Sequence, residues 1–475
     1  MNFTTYDIIL LIIFVVSISI FLYKRRENIK REGLFFLYKT EFGIKIINKI
    51  GKKYKKILNV LGYISVVLGF LLMIAMLYFF GRMVWLYISN QYFVKMIKIP
   101  PVMPLIPYVD KIVPNLNLPP FYFIYWIIII AIVAIVHEFS HGIFAVNKKV
   151  KIKKTGFAFF PFFLPIFLAA FVELDEKKMA KKKISSQMTV LSAGTFANFL
   201  MAILFFGILA LFFSLAFTPA GVIFDTYTYS AINISSVSSV NNFNVNNVTY
   251  NQILSLVNSS GKYINEVNVN GTEYIITKSF LEKQKGSSGY LLLYDDAPAV
   301  KANLSNIILK INGISVKSKE ELGKELLKYS PGDKIIITGL VDDADKDYEI
   351  ILGKSPVNKS LPYLGVGFIN QDSGVFGKVM AVFTSFRASG VYYKSDFGAA
   401  EFIYNLMWWL VLICFSVALI NMLPVGIFDG GRFFYLMMLA LTKSPEKAKK
   451  IFSVVTYLFL LLLFVIMAFW AVSLF

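Results

Sequence analysis

Cysteine and histidine are scarce in this chain, which holds one Cys and two His among 475 residues. A single thiol cannot close an intrachain disulfide, so a small disulfide-framed fold is excluded. Charge is thin too, at 16% of residues, where soluble domains carry about a quarter. Intrinsic disorder and collagen are excluded on the same grounds, because 57% of the residues are hydrophobic and mean hydropathy is +0.64. Apolar runs of spanning length lie near 6–23, 57–80, 121–146, 186–216, 400–423 and 451–474. A helix needs roughly 20 residues to cross the hydrocarbon core, so these runs predict a polytopic membrane protein.

Basic residues outnumber acids by 19, and the excess has an address. Residues 24–56 carry +9, residues 147–185 carry +7 and residues 442–450 carry +3, which accounts for all of it. In a six-span chain these three stretches are loops on one side, and the positive-inside rule makes that side cytoplasmic. Topology therefore explains the basic pI, and no nucleic-acid partner is expected. The first run ends in Lys24, Arg25 and Arg26 without an Ala-x-Ala-like cleavage site. It is expected to stay as a span with a cytoplasmic C-terminal end.

The stretch 217–398 is then extracytoplasmic, and its charges balance at 17 basic and 17 acidic. Within it, Ile307–Ile311 leads into Asn312-Gly313, a hairpin signal, followed by a helical pattern over Glu320–Tyr329. The turn Pro331-Gly332-Asp333 and the run Ile335–Thr338 complete an order that resembles a PDZ domain over roughly 285–355. A weaker copy covers about 225–280, so two modules in tandem or one with a large insertion both fit. Such modules bind extended peptides by adding a strand, and a plain spacer is the other reading.

Both histidines stand in His137-Glu138-Phe139-Ser140-His141, near the end of the third span. Residues i and i+4 share a helix face, so both imidazoles can grip one ion with Glu138 beside it as general base. Ionisable groups at membrane depth are expensive and functional by default. A catalytic zinc needs a third protein ligand. With no further His and only Cys414 as a thiol, a carboxylate is expected, and Asp429 sits in an apolar stretch broken by Pro424 and Gly426. Asp429 could instead pair with Arg432.

Three motifs together resemble the site-2 protease family of intramembrane zinc proteases: His137-Glu138-x-x-His141, Gly194-x-x-x-Asn198, and Asn421-x-x-Pro424-x-x-x-x-Asp429-Gly430. The resemblance covers about 121–216 and 400–440. It implies zinc held by His137, His141 and Asp429, Glu138 as general base, and Asn198 and Asn421 near the active site. Their amides would hold substrate or an oxyanion, or else make interhelical hydrogen bonds. It also implies that Gly156–Val172, broken by Pro161 and Pro165, is a re-entrant β element beside the site.

The expected fold class is a polytopic α-helical membrane protein of about six spans, a re-entrant β element and an α+β PDZ-like soluble domain. Its parts are 1–90, with two spans and a basic loop, and 121–216, the first half of the catalytic core. Then follow 217–398 outside, 399–440 as the second half, and 448–475 as the last span. The expected activity is zinc-dependent cleavage of single-span membrane proteins in the bilayer, with a PDZ peptide ligand outside. A non-proteolytic metal-binding scaffold or a metal transporter is the alternative.

Overall fold

The computed structural model describes residues 3–32, 35–89, 101–103, 105–112, 118–159, 168–285, 289–368, 378, 381–382 and 384–473. The chain divides into two compact units, Met1–Leu209 with Phe402–Phe475, and Ala210–Glu401.

Six helices in the described residues are long and apolar enough to cross a membrane. They are α1 (Phe3–Lys24), α3 (Lys55–Ser89), α4 (Phe123–Asn147), α5 (Ile184–Ala216), α6 (Ala400–Ile420) and α8 (Pro445–Ser473). A ten-residue helix, α2 (Ile44–Lys53), precedes α3, and α7 (Asp429–Thr442) follows a break after α6. Lipid gives helices no hydrophobic reason to associate, so close backbone approach at small residues has to do the work. On α3, Gly62 meets Thr189 of α5, and Gly69 meets Ser192 and Met422. Ser192 also donates to Ser65 at 3.0 Å. A second core joins Trp126 and Ile129 of α4 to Trp409 and Cys414 of α6. Cys414 is thus a small buried packing residue and no member of the ligand group.

The Gly156–Val172 element is a pair of strands, β3 (Ile152–Phe159) and β4 (Leu168–Leu174). Pro161 and Pro165 lie outside the described residues. Two further strands, β1 (Ile29–Glu32) and β2 (Phe35–Thr40), come from the first basic stretch, which the sequence read only as a loop. They extend the sheet to the order β1-β2-β3-β4, with Tyr38 opposite Phe157. Pairing of β2 with β3 puts the first two basic stretches on the same side of the membrane.

In the second unit, an antiparallel six-stranded sheet runs from Tyr229–Asn233 to Tyr290–Asp295. Its helix Tyr250–Ser260 starts at a Thr249–Gln252 capping box and stops at Gly261 in the left-handed region. The other large sheet uses Phe217–Ile223, Ile307–Ile311, Lys334–Val341, Ala344–Ile351 and Val391–Ser395. Asn312 and Gly313 both take positive φ there, as a tight hairpin requires. The first sheet is therefore inserted between strands of the second. Tyr290–Asp295, expected within 285–355, is a strand of the first sheet, paired with Tyr229–Asn233.

Candidate metal centre

α4 turns its two histidines inward: His137 and His141 are 9% and 8% exposed. Their Nε2 atoms lie 3.0 Å apart. Asp429 Oδ2 lies 3.2 Å from the first and 3.1 Å from the second, closing a nearly equilateral triangle. Ligand atoms of a tetrahedral zinc with bonds of about 2.0–2.1 Å stand roughly 3.4 Å apart, so the triangle has the shape of one face of such a site, drawn slightly inward. Two imidazole nitrogens and a carboxylate oxygen are also a donor set that zinc favours. Among the described residues no other group of His, Cys and acids converges this way.

The surrounding hydrogen bonds suit a metal. His141 donates from Nδ1 to the Val190 carbonyl at 2.7 Å, which leaves its Nε2 lone pair aimed at the shared point. His137 Nδ1 lies 3.1 Å from the amide of Asn198, which is wholly buried and whose Oδ1 has no partner. Turning that amide over offers the oxygen to the imidazole N–H, so both groups are paired and the same tautomer is fixed. One turn earlier on α5, a β-carbon on Gly194 would stand 2.5 Å from His141 Nε2 and 2.6 Å from His137 Nε2. Glycine is what lets α5 lie against the two rings.

Asp429 is set by the break. α6 ends at Ile420, and the chain turns through residues 421–428 before α7 begins. The Gly430 N–H donates to the Asn421 carbonyl at 2.7 Å. Gly430 and Gly431 are buried against the backbone of Met422, Leu423 and Val425, where side chains have no room. Asp429 thus opens α7, where the helix dipole favours a carboxylate. The alternative ion pair is not formed: Arg432 reaches Glu176 at 2.8 Å.

Glu138 stays out of the triangle and accepts from the Val172 N–H at 2.9 Å. Among the described residues β4 has β3 on one side only, so Val172 spends an edge donor on Glu138. Strand alternation turns Ala170 N–H and C=O toward the same edge. A cavity of about 330 Å³ adjoins this edge, walled by Ala169, Ala170, His137, Glu138, Asn421 and Asp429 and otherwise lined by aliphatic side chains and Phe428. Asn421 therefore borders the cavity, whereas Asn198 lies behind His137.

Sequence reasoning missed Asp7. It is 3% exposed in α1, and its carboxylate accepts from Phe123 N at 2.7 Å, Ile124 N at 3.0 Å and Tyr108 Oη at 2.7 Å. Burial, and then Asp7 itself, push the Tyr108 hydroxyl above its ordinary range, so it remains a donor. Asp7 thereby caps the N-terminus of the helix that carries both histidines. A lone acid inside an apolar run was the available signal. Asp7→Ala strands two buried N–H groups at a cost of about 1–3 kcal/mol each, so the melting temperature should fall, and less for Asp7→Asn. An unchanged melting temperature in Asp7→Ala would remove the capping role.

The model of peptidase family M50 matches residues 125–463. Over 192 residues the chain is 28% identical to the zinc metalloprotease RasP of Shouchella clausii, across 34% of this chain and 46% of that protein. Over 210 residues it is 31% identical to an uncharacterized protein of Methanocaldococcus jannaschii, across 42% of this chain and 50% of the other. The chain thus spans about half the length of the curated relatives it matches.

Proposed function

The chain belongs to peptidase family M50, and from the centre described above we propose that it is a zinc metalloprotease cutting peptide bonds within or near membrane-spanning segments. The observation that carries this reading is the convergence of His137, His141 and Asp429 beside Glu138, at a cavity bordered by a strand edge that is unpaired among the described residues. Bound zinc would supply Lewis-acid polarisation of the scissile carbonyl and an acidified water. Glu138 would take the proton of that water and pass it to the leaving amine. A substrate helix hides its peptide bonds, so it has to unwind first. The edge at Ala170 offers the backbone partner that an unwound segment lacks in lipid. Asn421, at the cavity wall, would donate to the developing oxyanion. Asn198 acts through His137, as a positioning residue. A scaffold would not need Glu138 there, and a transporter would need ligands along a path.

Metal analysis tests the centre. The purified chain should carry one zinc, and Asp429→Ala and His141→Ala should carry little. Asn198→Asp keeps an acceptor for His137 and should retain the ion, while Asn198→Leu should weaken binding about 10–100-fold. Stoichiometric zinc in both ligand variants would overturn the assignment.

The positive loops support a topology with the sheet side of the membrane unit in the cytoplasm and residues 217–398 outside. In a Cys414→Ala background, an impermeant thiol reagent should label Ser318→Cys and spare Lys178→Cys; the reverse pattern inverts the topology. The strand and helix order of the second unit supports a PDZ-like peptide binder that selects single-span substrates. Competition by an extended peptide in the cleavage assay tests that reading.

A further inference from the structure

Helix α2 packs one face on the turn that carries His141 and leaves the other face covered in lysine. Ile47 is wholly buried, its Cγ2 3.0 Å from where a β-carbon on Gly142 would stand. Gly51 lies as closely against Ile143 and Val146, and Gly43, at φ +81°, abuts the Phe139 ring. Phe139, Gly142 and Ile143 flank His141 in the chain, so α2 backs the metal-binding turn directly.

On the far face Lys45, Lys49, Lys52 and Lys53 are all exposed. At about 100° per residue they fall within an arc of roughly 100°. None has an acidic partner among the described residues; Lys53 rests over the Tyr54 ring at 5.3 Å. Beside the arc Ile46 is 54% exposed, and Phe42, just before the helix, is 70% exposed. α3 starts with Lys55 and Lys56 and turns apolar from Ile57, so α2 lies at the membrane boundary. A basic arc next to bulky apolar side chains is how a helix lies in the headgroup layer. A soluble acidic partner would satisfy the lysines but leave Ile46 and Phe42 in water.

We propose that this face of α2 binds anionic lipid headgroups, and that the contact steadies the His137–His141 turn it is packed on. Lipid binding stands on its own, whereas the effect on cleavage rests on the proteolytic reading above. The test uses the full chain in phosphatidylcholine nanodiscs with and without a minority of phosphatidylglycerol. Native mass spectrometry counts the phosphatidylglycerol retained. The wild type should retain it selectively. So should a control with Lys447, Lys449 and Lys450 changed to Gln in the last basic stretch, at the start of α8. Changing Lys45, Lys49, Lys52 and Lys53 together to Gln should abolish the selectivity, and changing them to Arg should preserve it. Cleavage by the wild type should rise about tenfold with phosphatidylglycerol, and the Gln variant should stay at the lower rate. Equal retention by the wild type and the α2 Gln variant overturns the binding site, as does equal loss in the control. Retention that follows α2 while cleavage ignores the lipid overturns the steadying. A chain that cuts nothing in either lipid counts against proteolysis, while the lipid count still decides the binding site.

Discussion

Glu138→Gln should leave one zinc per chain and lower cleavage by about 10²–10⁴-fold, the contribution of a positioned general base. Gln has the shape of Glu, and its amide oxygen can still accept from the Val172 N–H, 2.9 Å away in the native site. Neither histidine nor Asp429 relies on Glu138 for its place in the triangle. Only the capacity to take up a proton is lost. The measurement pairs elemental analysis with cleavage of a single-span reporter, on the same purified preparation. Full activity in Glu138→Gln would end the general-base assignment. Zinc lost along with activity would instead make Glu138 part of the metal site. Because the variant keeps its metal, it should also hold uncut substrates, and comparing membrane proteins retained by it with those of the active chain would identify them.

The parts of this architecture legible in the sequence are those written within a few residues. Six apolar runs gave six spans, since length and hydropathy are local properties. His137 and His141 shared a face because helical spacing demands it, and Pro424 and Gly426 marked the break ahead of Asp429. What escaped is held by partners distant in the chain. Asp7 finds the α4 N-terminus 116 and 117 residues on, and no period along either segment announces it. β1 and β2 are short, Lys- and Arg-containing strands; β2 pairs with β3, more than a hundred residues away, and β1 joins the sheet only through β2. Phe217–Ile223 opens the outer stretch with no strand signal of its own, and it pairs with Ile307–Ile311 across the inserted sheet. The Gly-x-x-x-Asn motif was visible as letters. Its physical content, room for two imidazoles and an acceptor for one of them, needs α4 and α5 side by side.

That content makes Gly194→Ala a severe substitution where helix propensity expects a gain. Replacing glycine by alanine inside a helix ordinarily stabilises by roughly 0.5–1 kcal/mol. Here the new methyl group would sit 2.5 Å from His141 Nε2 and 2.6 Å from His137 Nε2, closer than any stable contact permits. The rings cannot simply turn aside, because His141 is tied through Nδ1 to Val190 on the same α5 and His137 is held at Asn198. Relief therefore means parting α4 from α5, or driving one Nε2 away from Asp429. Either motion opens the triangle by a substantial part of an ångström, which a tetrahedral site does not tolerate. Gly194→Ala should accordingly stay folded and inserted, bind zinc at least about 10–100-fold more weakly, and cut correspondingly little. Gly207→Ala on the same helix is the control, since nothing lies within 4 Å of its added carbon; it should keep both zinc and activity. Competitive chelation on the two purified variants gives the comparison. If Gly194→Ala holds zinc as tightly as Gly207→Ala does, the glycine serves helix packing alone and α5 does not shape the metal centre.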